Sequence, residues 1–176
     1  MVSLTEGTDT DLFLPPTLRP METPPTDSVD AITRVRRRAY PRLHRLAERF
    51  GGYVACPIHP AEYVGTVDRT LGAFGAELRR MAFRPEPIAA LKYHHDGRQS
   101  AGSWVRRRSL FAPKQLHVTV FVNDARGVDT YAHWEDSWLR HPIKHYRAHG
   151  WDTGGGVDRM RSLLAHHGVP VTERTI

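Results

Sequence analysis

Two runs of alternating residues, QLHVTVFV at 115–122 and VDTYAHWE at 128–135, stand five residues apart, and no other feature restricts the fold of this chain as tightly. Successive side chains of an extended strand point to opposite sides, so Leu116, Val118, Val120 and Val122 share one face while His117, Thr119 and Phe121 share the other. The second run divides in the same way, with Val128, Ala132 and Trp134 set against Asp129, Tyr131, His133 and Glu135. The intervening NDARG is short enough to close a hairpin, and its Gly127 is expected to supply a positive φ at the turn. Pairing Val122 with Val128 then fixes the whole register: His117 faces His133, Gln115 faces Glu135 and Thr119 faces Tyr131. Reversing the faces would bury His117 and expose Val118 and Val120, at about 1.5–3 kcal/mol for each large apolar side chain.

Around this hairpin the pattern predicts an α+β domain. Alternation near 88–95 and 101–108, with DGRQ and SLFAPK as connections, extends the pair to an antiparallel β-meander of about four strands, packed on one face by helices. A first helix is expected over 28–50, capped by Asp27 or Ser28, ended by Gly51 and Gly52, and kinked or split at Pro41. It should bury Ile32, Val35, Leu43 and Leu46. DRTLGAFGAELRRM, HPIKHYRAHG and GGGVDRMRSLLAHHG read as further helices, YVACPI as a short strand, HPAEYVGTV as irregular chain and VPVTER as an edge strand. Residues 1–27 carry five prolines between Pro15 and Pro25 and read as an extended or disordered arm, able to meet a protein partner through Leu12, Phe13 and Leu14, ahead of a single domain over 28–176.

Charge points to polyanions. The formal net charge is +6, and arginine supplies most of the cations, since Lys92, Lys114 and Lys144 are the three lysines. Arg34, Arg36, Arg37, Arg38, Arg42 and Arg45 lie off the apolar stripe of the first helix, and Arg106, Arg107 and Arg108 follow one another beside Trp104. Arginine's planar fork suits phosphate. These nine residues are therefore the expected surface of a non-enzymatic basic protein that engages nucleic acid or a larger nucleoprotein assembly. A small structural subunit that uses its N-terminal arm is a further expectation. The lone Cys56, the absence of a secretory signal pattern and the lack of a long apolar stretch suit a cytoplasmic protein away from membranes.

The polar face of the hairpin supports three readings. LHVTVF resembles the H-x-T strand motif of the 2H phosphoesterase superfamily, and that resemblance implies phosphodiester chemistry with His117 and Thr119 in the motif positions. It spans six residues, and no other histidine of the chain has Ser or Thr two positions later. His117, His133 and Glu135 could instead form a three-ligand metal set with an open position, as catalytic zinc and non-haem iron sites do. The candidate catalytic residues are thus His117, Thr119, His133 and Glu135, and the candidate ligands are three of the same four. The third reading is a solvated sheet face that carries His, Thr, Tyr and Glu for solubility. A concave pocket or a flat wet surface would separate them. HPIKHYRAH adds a ladder of His141, His145 and His149 on one helix face.

Overall fold

The structure, a computed structural model, describes residues 33–35, 37–39, 42, 57–86, 89, 91–123, 127–141 and 150–173. Five strands form one antiparallel sheet: β1 (Tyr63–Val67), β2 (Arg84–Pro85), β3 (Gly102–Arg107), β4 (Lys114–Val122) and β5 (Val128–Asp136), in the order β1-β5-β4-β3-β2. Helix α1 (Leu71–Arg80) carries the chain from one edge of the sheet to the other, and α2 (Thr153–His166) follows the last strand. The meander β3-β4-β5 is the expected α+β core. Its central register is the expected one, with His117 paired to His133, Gln115 to Glu135, Thr119 to Tyr131 and Val122 to Val128.

Four expectations need correction. Of the stretch 88–95, the described residues 89 and 91–95 form no strand; Tyr93 makes isolated bridges to Pro57 and Gln99. The strand that flanks β5 is instead Tyr63–Val67, from the segment read as irregular, and VPVTER joins its outer side through a bridge between Thr66 and Thr172. Gly127 does not take a positive φ. A Cβ there would come within 2.8 Å of Thr66 Cγ2, so this glycine serves the close approach of β1. Of the first helix, residues 33–35 and 37–39 are helical; Val35 is 65% exposed rather than buried, and Ile32, Leu43 and Leu46 lie outside the described residues. So do the N-terminal arm, Arg36, Arg45, His145 and His149.

One face of the sheet holds the apolar core. Leu116, Val118, Val120, Val128, Ala132 and Trp104 pack there against Phe74, Leu78 and Met81 from the α1 region and Val157, Met160, Leu163 and Leu164 from α2. Side chains cap α1 and α2 at their N-termini: Thr70 accepts from Ala73 N and Asp152 from Gly155 N. The opposite face is covered as well. Gln115, His117, Thr119, Phe121, Asp129, Tyr131, His133 and Glu135 are all buried, beneath segments that include Ile58, Glu62, Lys92 and His94. The expectation of a solvated face is therefore wrong, because the segments that carry Ile58, Glu62, Lys92 and His94 lie over the second side.

Candidate functional site

The covered face arranges polar side chains in rows that cross the strands. Val105, His117 and His133 form one row, and Arg107, Gln115 and Glu135 form the next. At their meeting point His117, His133 and Glu135 are 6%, 1% and 2% exposed. The imidazole centroids lie 5.0 Å apart, edge to face. Glu135 Oε1 is 3.2 Å from His117 Nδ1, and its Oε2 is 3.3 Å from His133 Nε2. One potential ligand atom from each residue falls within 4.8 Å of the others. The cluster is thus enclosed, neither an open cleft nor a flat wet patch.

Each member is held from outside the cluster. Glu62 ends a 3-10 turn (Pro60–Glu62) that leads into β1, and the pairing of β1 with β5 brings its carboxylate to His133, whose Nδ1–H donates to Oε2 at 2.7 Å. His117 Nε2 bonds the Ser103 hydroxyl on β3. Gln115 Nε2 donates to Glu135 Oε1 at 2.6 Å, and Gln115 Oε1 accepts from Arg107 Nε at 2.7 Å. Arg107 continues to Glu86 at 3.0 Å, where Trp138 Nε1 also donates. Trp151 closes the outer side, its ring stacked on His133 with centroids 4.2 Å apart, and the Lys92 ammonium lies 4.8 Å from the Trp151 ring centroid. Trp151 is placed by its neighbour Asp152, whose backbone exchanges two hydrogen bonds with Trp134 on the part of β5 that β1 leaves uncovered.

Two buried polar atoms in this network are poorly satisfied: Glu62 Oε1 has no hydrogen-bond partner, and His117 Nδ1 has only the carboxylate of Glu135 beside it. Glu135 Oε1 approaches Nδ1 but out of line for a hydrogen bond. Burial without a partner costs about 1–3 kcal/mol for such a group. In the tautomer that donates Nε2–H to Ser103, Nδ1 presents an unshared pair to the centre of the cluster. Burial pushes the His117 pKa down, against the opposing pull of Glu135, which favours the neutral ring. Burial also works against charge on His133, but its hydrogen bonds to Glu135 and Glu62 outweigh it and raise that pKa. Burial would raise the Glu135 pKa; its contacts with His117 and His133 prevail and hold it well below the usual carboxylate range.

A divalent ion fits these donors chemically. His117 Nδ1, His133 Nε2 and a Glu135 oxygen are the borderline nitrogen and hard oxygen ligands of a 2-His-1-carboxylate set, and they lie within 4.8 Å of one another. Glu62, Ser103 and Gln115 stand where outer partners orient metal ligands. A second group, His94, His95 and Asp96, is less suited. Arg98 Nε donates to Asp96 at 2.7 Å and His94 Nε2 meets Tyr131 Oη at 2.8 Å, so its atoms serve an ion-paired turn. The apolar groove beside α2, lined by Val64, Ala165, Val169 and Val171, lacks such a cluster among the described residues.

Other expected site residues divide clearly. Thr119 is buried beside Ser103 and Tyr131 in the register. Arg37 donates to the carbonyls of Gln99 and Ser100, and Arg107 belongs to the buried relay, so both are committed inside the protein. Arg34, Arg38, Arg42 and Arg108 are exposed and Arg106 is half-buried. Trp104 is a core residue, with Arg79 over its ring. Sequence reasoning missed Glu62, Ser103, Lys92 and Trp151, which arrive from four separate segments. Comparisons with protein-family models, with curated proteins and with solved structures give no match to this chain.

Proposed function

We propose that this chain is a metal-dependent enzyme with a mononuclear centre formed by His117, His133 and Glu135. The observation that carries this reading is the convergence of one ligand atom each from His117, His133 and Glu135 within 4.8 Å in a buried cluster, with the remaining ring nitrogens and carboxylate oxygen bonded to Ser103, Glu62 and Gln115 outside it. Three protein ligands leave positions for water or substrate. An ion there polarises a bound oxygen or lowers the pKa of a bound water, while Glu62, Ser103 and Gln115 keep the ligands aimed. Enclosure by Trp151 and Lys92 favours a small substrate over a polymer, which weighs against a phosphodiester of nucleic acid at this site. Metal analysis of protein purified without chelator and then reconstituted with Zn(II), Fe(II) or Co(II) tests the reading. One ion per chain is expected, lost in His117→Ala and His133→Ala; a wild-type chain that takes up none of the three refutes it.

A second reading, electrostatic binding of nucleic acid, is supported by the net charge of +6 and by exposed Arg34, Arg38, Arg42 and Arg108. Binding of this kind falls with salt at a log-log slope of about −0.9 for each phosphate neutralised on duplex DNA. Replacing Arg34, Arg38 and Arg42 together by alanine should weaken binding to all sequences alike. Duplex that stays unbound at low salt ends this reading.

A further inference from the structure

Lys92 is a buried lysine beside a cluster that already holds two carboxylates, and among the described residues none of those carboxylates pairs with it. Its backbone is fixed by Ser100, whose N–H donates to Lys92 O at 2.9 Å and whose hydroxyl accepts from Lys92 N at 3.3 Å. Ser100 lies just before β3, the strand whose Ser103 holds His117. The ammonium is thereby set against Trp151, and Trp151 against His133. The other cations described on this face are paired, Arg107 with Glu86 at 3.0 Å and Arg98 with Asp129 at 3.1 Å.

The charges then do not balance once an ion is bound. A divalent ion contributes two positive charges and Lys92 one, while Glu62 and Glu135 contribute two negative charges; the imidazoles are neutral as ligands. One positive charge is left over inside an enclosed site, where an uncompensated charge is costly. A monoanion that occupies an open coordination position cancels it, and Lys92, buried against the Trp151 ring that stacks on His133, is the cation left to pair with it.

We infer, on the basis of the proposed metal centre, that the site takes a small monoanionic carboxylate held between the bound ion and Lys92. The ion binds one carboxylate oxygen, the Lys92 ammonium donates to the anion, and Trp151 supplies an apolar wall. Enclosure selects a carboxylate over a bulkier phosphodiester of the same charge.

Co(II)-loaded protein tests this through its visible absorption, with acetate as the anionic probe, imidazole as a neutral one and dimethyl phosphate as the competing monoanion. Acetate should shift the spectrum of the wild type. Its affinity should fall at least about tenfold in Lys92→Met and stay within about threefold in Lys92→Arg, whereas imidazole affinity and Co(II) content stay unchanged in both. Equal acetate affinity in wild type and Lys92→Met overturns the inference and leaves the metal centre standing, as does Co(II)-loaded wild type that ignores acetate. Preference for dimethyl phosphate overturns the carboxylate assignment. Parallel weakening of acetate and imidazole in Lys92→Met reduces Lys92 to a packing residue and also overturns it. A wild-type chain that binds no Co(II) removes the centre and the inference together.

Discussion

At the scale of single residues, the outer partners of the cluster give the sharpest expectations. Glu62→Ala and Ser103→Ala should each lower metal affinity by about 10–100-fold, measured by competition with a chromogenic chelator, because each removes the bond that orients one imidazole. Affinities equal to the wild type would show that the histidines need no support. His94 provides a separate pH signature. Burial first, and the Arg98 charge second, lower its pKa below 6.5, against the opposing bonds of Asp96; His95 and Tyr131 are its other polar neighbours. Above that value neither folded nor unfolded chain protonates it. As pH falls below about 6.5 the unfolded chain takes up a proton that the folded chain refuses, so stability declines. Asp96, whose pKa is lowered by its bonds to Arg98 despite its burial, loses its contribution only at lower pH, below 3.8. His133 acts in the opposite sense in the metal-free protein, which is why the measurement is a difference. Urea midpoints of wild type and His94→Gln should converge as pH drops from 8 to 5, and a constant gap contradicts the assignment.

At the scale of elements, the hairpin was legible because alternation and a five-residue loop leave one register that buries Leu116, Val118 and Val120 together. The same signal misled at 88–95, since alternation describes extended chain whether it joins a sheet or lies across one. It missed Tyr63–Val67 because Gly65, at φ 144°, interrupts the pattern with a bulge against β5. The burial of the polar face was not legible either: its cover depends on Glu62, Lys92 and Trp151, remote in sequence, although Phe121 and Tyr131 on that face were a hint of it. Helix α2 shows what a glycine run does. A Cβ on Gly156 would stand 2.3 Å from His133 Cα, so the first turn of α2 rests directly on the backbone of β5, whereas a Cβ on Gly154 meets nothing within 4 Å. Gly156→Ala should therefore destabilise the protein by about 1–3 kcal/mol through overpacking. Gly154→Ala should stabilise it by about 0.5–1 kcal/mol through helix propensity and reduced freedom of the unfolded chain. Denaturant midpoints that move the same way in both variants would contradict this placement of the helix.

At the scale of the whole molecule, a hydrocarbon core on one side of the sheet is balanced by a charged network on the other, so stability should respond to the ion. A divalent metal at one hundred times its dissociation constant adds about 2.7 kcal/mol to the folded state. For a domain of this size that corresponds to a rise in Tm of about 5–10 °C. The rise should be absent in His117→Ala, and thermal scans at fixed protein concentration decide it. Finally, the two backbone hydrogen bonds between Trp134 and Asp152 occupy the stretch of β5 that extends past β1. Unpaired, that stretch would present free N–H and C=O groups to any other extended chain, the usual starting point of strand-to-strand aggregation. The contact that sets Trp151 over His133 therefore also seals a sticky border, and a variant that loosens it sacrifices solubility along with the enclosure of its histidines.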